Sequence, residues 1–249
     1  MTDPRLVLTL RDGVARLVLR RPEKRNALDA TMVDALLPLC REIERSAARV
    51  LIVTGEGGKS FCAGGDIAGW SALSPEAFGQ HWVRDGHAAF DALARLTVPV
   101  IAVLNGQTLG GGLELAACAD LRIAEAHVII GQPEPGLGII PGWSGTQRAV
   151  RRFGAQAVRR MALCGEVLSA EAALQRNEIR REAAQLDGQV FAADDAAGAL
   201  FKMQGVAPVD QHEHRLQQVV AVGAAAHDVQ EQVELGGRGH VAQLGQCRV

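Results

Sequence analysis

Tyrosine is absent from this chain of 249 residues, and nine phenylalanines and tryptophans are its whole aromatic complement. Chemistry done with backbone and carboxylates therefore fits it better than chemistry done by aromatic stacking. An excess of positive charge is missing too. Lys and Arg number 26 against 28 Asp and Glu, a net charge of −2, whereas nucleic-acid binding through a basic face usually brings a surplus of cations. No apolar run approaches the roughly 20 residues that cross a bilayer, so no membrane partner is expected. The opening Met1-Thr2-Asp3-Pro4-Arg5 has no apolar signal segment, and the expected location is cytoplasmic. Five cysteines (40, 62, 118, 164 and 247) are scattered, odd in number and without metal-ligand spacing, as in a reduced protein with no metal site. What the chain has in quantity is glycine, 28 residues, and enough apolar residues, 48%, to bury a substantial core.

The apolar pattern changes period along the chain. Leu6 to Leu10 and Val14 to Leu19 alternate around Asp12-Gly13, which predicts a β-hairpin. Met32, Leu36, Leu39, Cys40, Ile43 and Ala47 fall on one helical face, with Asp29 or Thr31 as N-cap and Pro38 as an interruption. Val50 to Thr54 and Pro99 to Leu104 read as buried strands, each followed by a glycine-rich loop, with a helical stretch from Pro75 to Leu96 between them. Leu121 to Ala124 and Val128 to Ile130 are strand-like. Alternating strand, loop and helix predicts an α/β fold with a largely parallel sheet, and ligands sit at the carboxyl ends of such strands. Beyond Leu174 the texture shifts: residues 175–249 hold eleven glutamines against five in the preceding 174, and clean periodicity fades.

Three apparent motifs fail on spacing. Gly57-Gly58-Lys59-Ser60 ends like a phosphate-binding loop, but Val53 stands where its first glycine belongs. Gly142-Trp143-Ser144-Gly145 resembles a nucleophile elbow, yet Thr146 replaces its last glycine. His212-Glu213-His214 lacks the spacing of a zinc protease. Two glycine-rich segments survive: Ser60 to Ile67, and Asn105 to Leu115, which opens a helix. Glycine lets the backbone approach a ligand, and a helix N-terminus offers unpaired N–H groups to a developing anion. Tight turns would look the same. Two carboxylates lie close by in sequence: Glu114 on the first turn of that helix, and Glu134 in a loop with few other ionisable groups. Apolar surroundings would raise their pKa values and fit them for proton transfer; a helix-end charge and a solvated loop charge are the plain alternatives.

Phe61-Cys62-Ala63-Gly64-Gly65-Asp66, Gly110-Gly111-Gly112-Leu113-Glu114-Leu115-Ala116, Ala119 to Ala124, and Gly131-Gln132-Pro133-Glu134 through Arg148 resemble the crotonase family, in particular its enoyl-CoA hydratases. Arg21 to Leu28 matches that family's early CoA-contacting loop, and the resemblance runs in consistent order over roughly residues 5 to 174. It implies a spiral of ββα units with a C-terminal helical region, usually assembled as a trimer or a dimer of trimers. It implies an acyl-CoA thioester whose oxygen sits between the N–H groups of Gly65 and Gly111. Glu114 would activate water for attack at Cβ, and Glu134 would protonate Cα. Lys24, Ala27 and Leu28, with Ala63, Asp66 and Ile67, would hold CoA, and Pro133 would lie against the substrate. No cofactor is implied, because coenzyme A is part of the substrate. Rival readings are an enoyl-CoA isomerase, which works with one main acid/base, and an inactive acyl-CoA-binding relative.

Two departures from the family stand out. Pro135 directly follows the second glutamate. After Leu174 the family's Gly-Leu-Val turn and closing helices do not follow, so the expected division is a catalytic core over 1–174 and a divergent region over 175–249, helical or poorly ordered. Either the reading frame changed near codon 175 or the tail diverged while staying folded, and trimer formation is in question on both accounts.

Overall fold

The computed structural model describes residues 3–175. The predicted hairpin forms as β1 (Leu6–Arg11) and β2 (Val14–Leu19), turning at Asp12 and Gly13, both of positive φ. A 3₁₀ turn, Pro22–Lys24, leads to helix α1 (Ala30–Arg45), and Asp29 is its N-cap, accepting from the Met32 N–H at 3.1 Å. The predicted face is buried up to Ile43, but the helix stops before Ala47. Pro38 does not break it. Pro38 and Asp34, whose carbonyl loses its helical donor, are both on the exposed face, where water can satisfy that carbonyl.

Strand β3 (Val50–Gly55) is buried throughout and runs parallel to β2. After it come β4 (Ser60–Cys62), two short helices α2 (Ile67–Trp70) and α3 (Pro75–Ala77), a π-helical stretch Phe78–Arg84, and α4 (Asp85–Ala94). The next pair is β5 (Val100–Leu104) and β6 (Gln107–Leu109), followed by α5 (Gly111–Ala116). The third is β7 (Leu121–Ala124) and β8 (Ile129–Gly131). A 3₁₀ turn, Glu134–Leu137, then leads to α6 (Arg148–Phe153), α7 (Ala155–Cys164), β9 (Val167–Ser169) and α8 (Ala170–Gln175).

The single sheet expected from the alternation is in fact two. One has the order β1-β2-β3-β5-β7 and is parallel apart from the opening hairpin. The other, β4-β6-β8-β9, is parallel except at β8–β9. Each successive strand pair gives its first member to one sheet and its second to the other, and helical structure follows each pair. That is a spiral of ββα units. The second strands are only three residues long, too short for alternation to reveal β4 and β6 inside their glycine-rich segments. Met32, Leu36, Leu51, Phe61, Phe90 and Leu93 are among the fully buried residues of one continuous core joining the helices to both sheets. The expected C-terminal region and His212-Glu213-His214 lie outside the described residues, and among those described no helix is long and apolar enough to cross a membrane.

Candidate active site

Both glycine-rich segments follow short strands of the second sheet, and the fold lays them against each other. A Cβ added to Gly64 would stand 3.1 Å from the Gly111 nitrogen. Gly64 and Gly110 have φ of +103° and +53°, a region that only glycine enters freely, so the close approach is written into the sequence. Neither the Gly65 nor the Gly111 N–H donates to another group among the described residues. For Gly111 the reason is local: it is the first residue of α5, where no preceding turn supplies a carbonyl.

The residues expected to contact CoA run alongside. Leu28 pairs with Gly65 in a parallel bridge, donating its N–H to the Gly64 carbonyl at 2.8 Å, while its carbonyl accepts from the Asp66 N–H at 2.7 Å. The Ala63 N–H donates to the Arg25 carbonyl. Asp66 caps α2 through the Ala68 N–H and accepts from the Arg21 guanidinium at 2.7 Å. Leu28 and Ala27 are buried, whereas Lys24 is exposed at the turn.

A cavity of about 120 Å³ lies where these segments meet. Its lining brings together Ala63, Gly65, Ile67, Gly111, Glu114, Pro133 and Glu134 from the residues expected at the site; Lys24, Ala27, Leu28 and Asp66 do not border it. One water needs roughly 10–15 Å³ by this measure, so the cavity has room for several.

The two carboxylates are both buried but differently supported. Glu114 projects from α5, and its Oε1 accepts from the main-chain N–H groups of Trp143 at 2.7 Å and Gly145 at 2.6 Å. Burial pushes its pKa up to about 7; the two N–H bonds pull the other way, and the charge on Glu134 adds to the rise. Glu134 opens the 3₁₀ turn after β8, and burial raises its pKa as well. Its Oε2 has no partner among the described residues, and its Oε1 would stand 3.0 Å from a Cβ at Gly110. Two main-chain donors on Glu114 oppose the effect of burial, whereas Glu134 has one oxygen without a donor among the described residues. Pro135 is no obstacle, since the opening of a helical turn leaves its nitrogen without need of a hydrogen.

Sequence reasoning missed the aromatic part of the lining: Trp70, Phe78, Trp82 and Trp143. Phe78 and Trp82 both come from the π-helical stretch, a form frequent at functional sites. The concentration of all three tryptophans between residues 70 and 143 was the available signal.

The two-sheet ββα spiral with paired carboxylates over glycine-opened backbone defines a protein of the crotonase fold. Two solved structures share it: an enoyl-CoA hydratase from Bacillus anthracis, with TM-score 0.68 and 26% identity over 92% of this chain and 93% of that one, and Pseudomonas aeruginosa DspI, with TM-score 0.71 and 27% identity over 94% and 88%. Residues 9–185 match the enoyl-CoA hydratase/isomerase family, and the chain belongs to that family. It is 34% identical to the crotonyl-CoA hydratase of Syntrophomonas wolfei over 81% of each chain. To the short-chain-enoyl-CoA hydratase of Clostridium acetobutylicum it is 37% identical, over 68% of this chain and 65% of that one, just under two thirds of the relative's length.

Proposed function

We propose that the protein is an enoyl-CoA hydratase that adds water across the double bond of a 2-enoyl-CoA thioester. The observation that carries this reading is the pair of buried carboxylates on one cavity, unequal in hydrogen-bond support. The thioester oxygen accepts from the N–H groups of Gly65 and Gly111, which have no competing acceptor among the described residues, and this draws electron density from Cβ. Ionised Glu114 removes a proton from water as its oxygen bonds to Cβ. The enolate that develops is held by the two N–H groups, and protonated Glu134 delivers its proton to Cα. The product is 3-hydroxyacyl-CoA. Glu114 is left protonated and Glu134 ionised, and exchange with solvent resets both.

Donors preorganised at an oxyanion are commonly the largest single contribution in such chemistry, and losing one costs about 3–4 kcal/mol. An isomerase moves one proton between carbons with one main acid/base; a second buried carboxylate on the cavity favours hydration. A coupled assay with crotonyl-CoA is the test. Appreciable formation of 3-hydroxybutyryl-CoA supports the reading. Double-bond migration in a 3-enoyl-CoA without hydration of crotonyl-CoA would assign the isomerase instead, and binding without turnover would make the chain an acyl-CoA-binding relative.

A further inference from the structure

Trp143 stands at the closed end of the cavity. Residues at the mouth are open to solvent, Leu137 at 52% and Ile67 at 48%, whereas Trp143 is 3% exposed and Trp82 7%. The Trp143 indole lies directly on the backbone of Gly111, where an added Cβ would come within 2.7 Å of its Cζ3. On its other side it lies on Gly86 in α4, where any Cβ would overlap Nε1 and the five-membered ring. Two glycines, in separate helices, thus leave the space this ring occupies.

The ring is also held on every side. Its Nε1–H donates to the Trp82 carbonyl at 2.9 Å, and its centroid is 4.8 Å from that of Trp82 and 4.9 Å from that of Phe90. Its own main-chain N–H is fixed by Glu114. Rotating the side chain would break a buried hydrogen bond and strip it from both glycines, so the indole is a wall and not a gate.

We propose that Trp143 is a specificity-determining residue that limits the acyl group to short chains, by filling the space towards α4 into which a longer chain would extend. The placement of the acyl group rests on the hydratase reading, with the thioester at Gly65 and Gly111. There the Trp143 ring lies against Gly111 and the Trp82 ring against Gly65, where an added Cβ would stand 2.6 Å from Trp82 Cζ2, so an acyl chain leaving the thioester meets both rings. A hydrophobic pocket discriminates about 10–200-fold per methylene group, so a rigid end wall gives a sharp length limit.

Binding of saturated acyl-CoA thioesters tests the wall without requiring any chemistry. By calorimetry, the wild-type chain should bind butyryl-CoA at least about tenfold more tightly than octanoyl-CoA. Trp143→Ala should shift that ratio at least about tenfold towards octanoyl-CoA, and Trp143→Leu, which keeps more of the packing, should shift it in the same direction. Hydration kinetics with crotonyl-CoA and 2-octenoyl-CoA should show the same shift in kcat/KM. Octanoyl-CoA bound as tightly as butyryl-CoA by the wild type, or a ratio unmoved in a folded variant, would overturn the proposal. Length-selective binding with no hydration of either substrate would instead refute the hydratase reading and leave the wall in place.

Discussion

Glu114 has one oxygen held by two main-chain N–H groups, Glu134 has one oxygen with no donor among the described residues, and a glutamine at either position tests that difference. Glu→Gln preserves shape and most hydrogen bonding but removes proton transfer, which is typically worth about 10²–10⁴-fold. Each variant should therefore lower kcat by that order while leaving acyl-CoA affinity nearly unchanged. The two should differ in residual chemistry. Glu134→Gln should lose exchange of the Cα proton with solvent deuterium along with hydration, whereas Glu114→Gln should retain some exchange through Glu134. The double variant should cost less than the product of the single effects, because both groups serve one transition state. If the wild type hydrates crotonyl-CoA and both single variants keep more than about a tenth of its kcat, the carboxylates are structural.

At the scale of elements, what could be read from the sequence depended on length and on burial on one side. The β1–β2 hairpin and the face of α1 were legible through a sustained period, and β3, β5, β7 and β8 as largely apolar runs. The strands β4, β6 and β9 were not, because their three residues form neither a period nor an apolar run, and the first two lie inside glycine-rich loops. The positions of Gly65, Gly111, Glu114 and Glu134 were legible through motif resemblance, but the aromatic wall was not, since it is assembled from segments 61 residues apart, as the Trp143-to-Trp82 hydrogen bond shows. Pro38 illustrates the limit of local rules: it sits inside α1 and costs the helix a hydrogen bond without ending it. Pro38→Ala should restore that bond and stabilise the fold by about 1 kcal/mol, less than the intrinsic Pro–Ala difference because proline also restricts the unfolded chain. A urea midpoint at or below the wild-type value would show that the helix had already accommodated the ring. Gly111→Val belongs to the same scale. Its side chain would press on the Trp143 ring as well as shield the N–H, so activity should collapse and the melting temperature should fall with it.

For the whole molecule, the carboxylates that suit catalysis work against stability. The pKa of Glu114 is raised from 4.5 to about 7, so between those values the unfolded chain releases a proton that the folded chain keeps. The contribution of Glu114 to stability therefore falls as pH rises through that window, by on the order of 3 kcal/mol once it is crossed. Asp3 has the opposite sign. Its hydrogen bonds with Arg5 lower its pKa from 3.8 to about 2, so its contribution is complete above 3.8 and is lost as pH falls through 2. Asp29, also bonded to Arg5, is shifted in the same direction. Taken together, these groups favour mildly acid solution for stability, while the general-base role proposed for Glu114 needs the ionised form, so hydration should rise with pH through about 7. Differences between variant and wild type isolate each group from every other titration in the chain. In urea unfolding across a pH series, Glu114→Gln should gain on the wild type steadily from pH 4.5 to 7 and hold a constant advantage above that. Asp3→Asn should match the wild type's pH slope above pH 4 and flatten its loss of stability below it. A Glu114→Gln advantage that is the same at pH 4.5 and pH 7.5 would mean that the buried carboxyl ionises in the folded protein as readily as in the unfolded chain, and would remove the basis for its role as a base poised near neutrality.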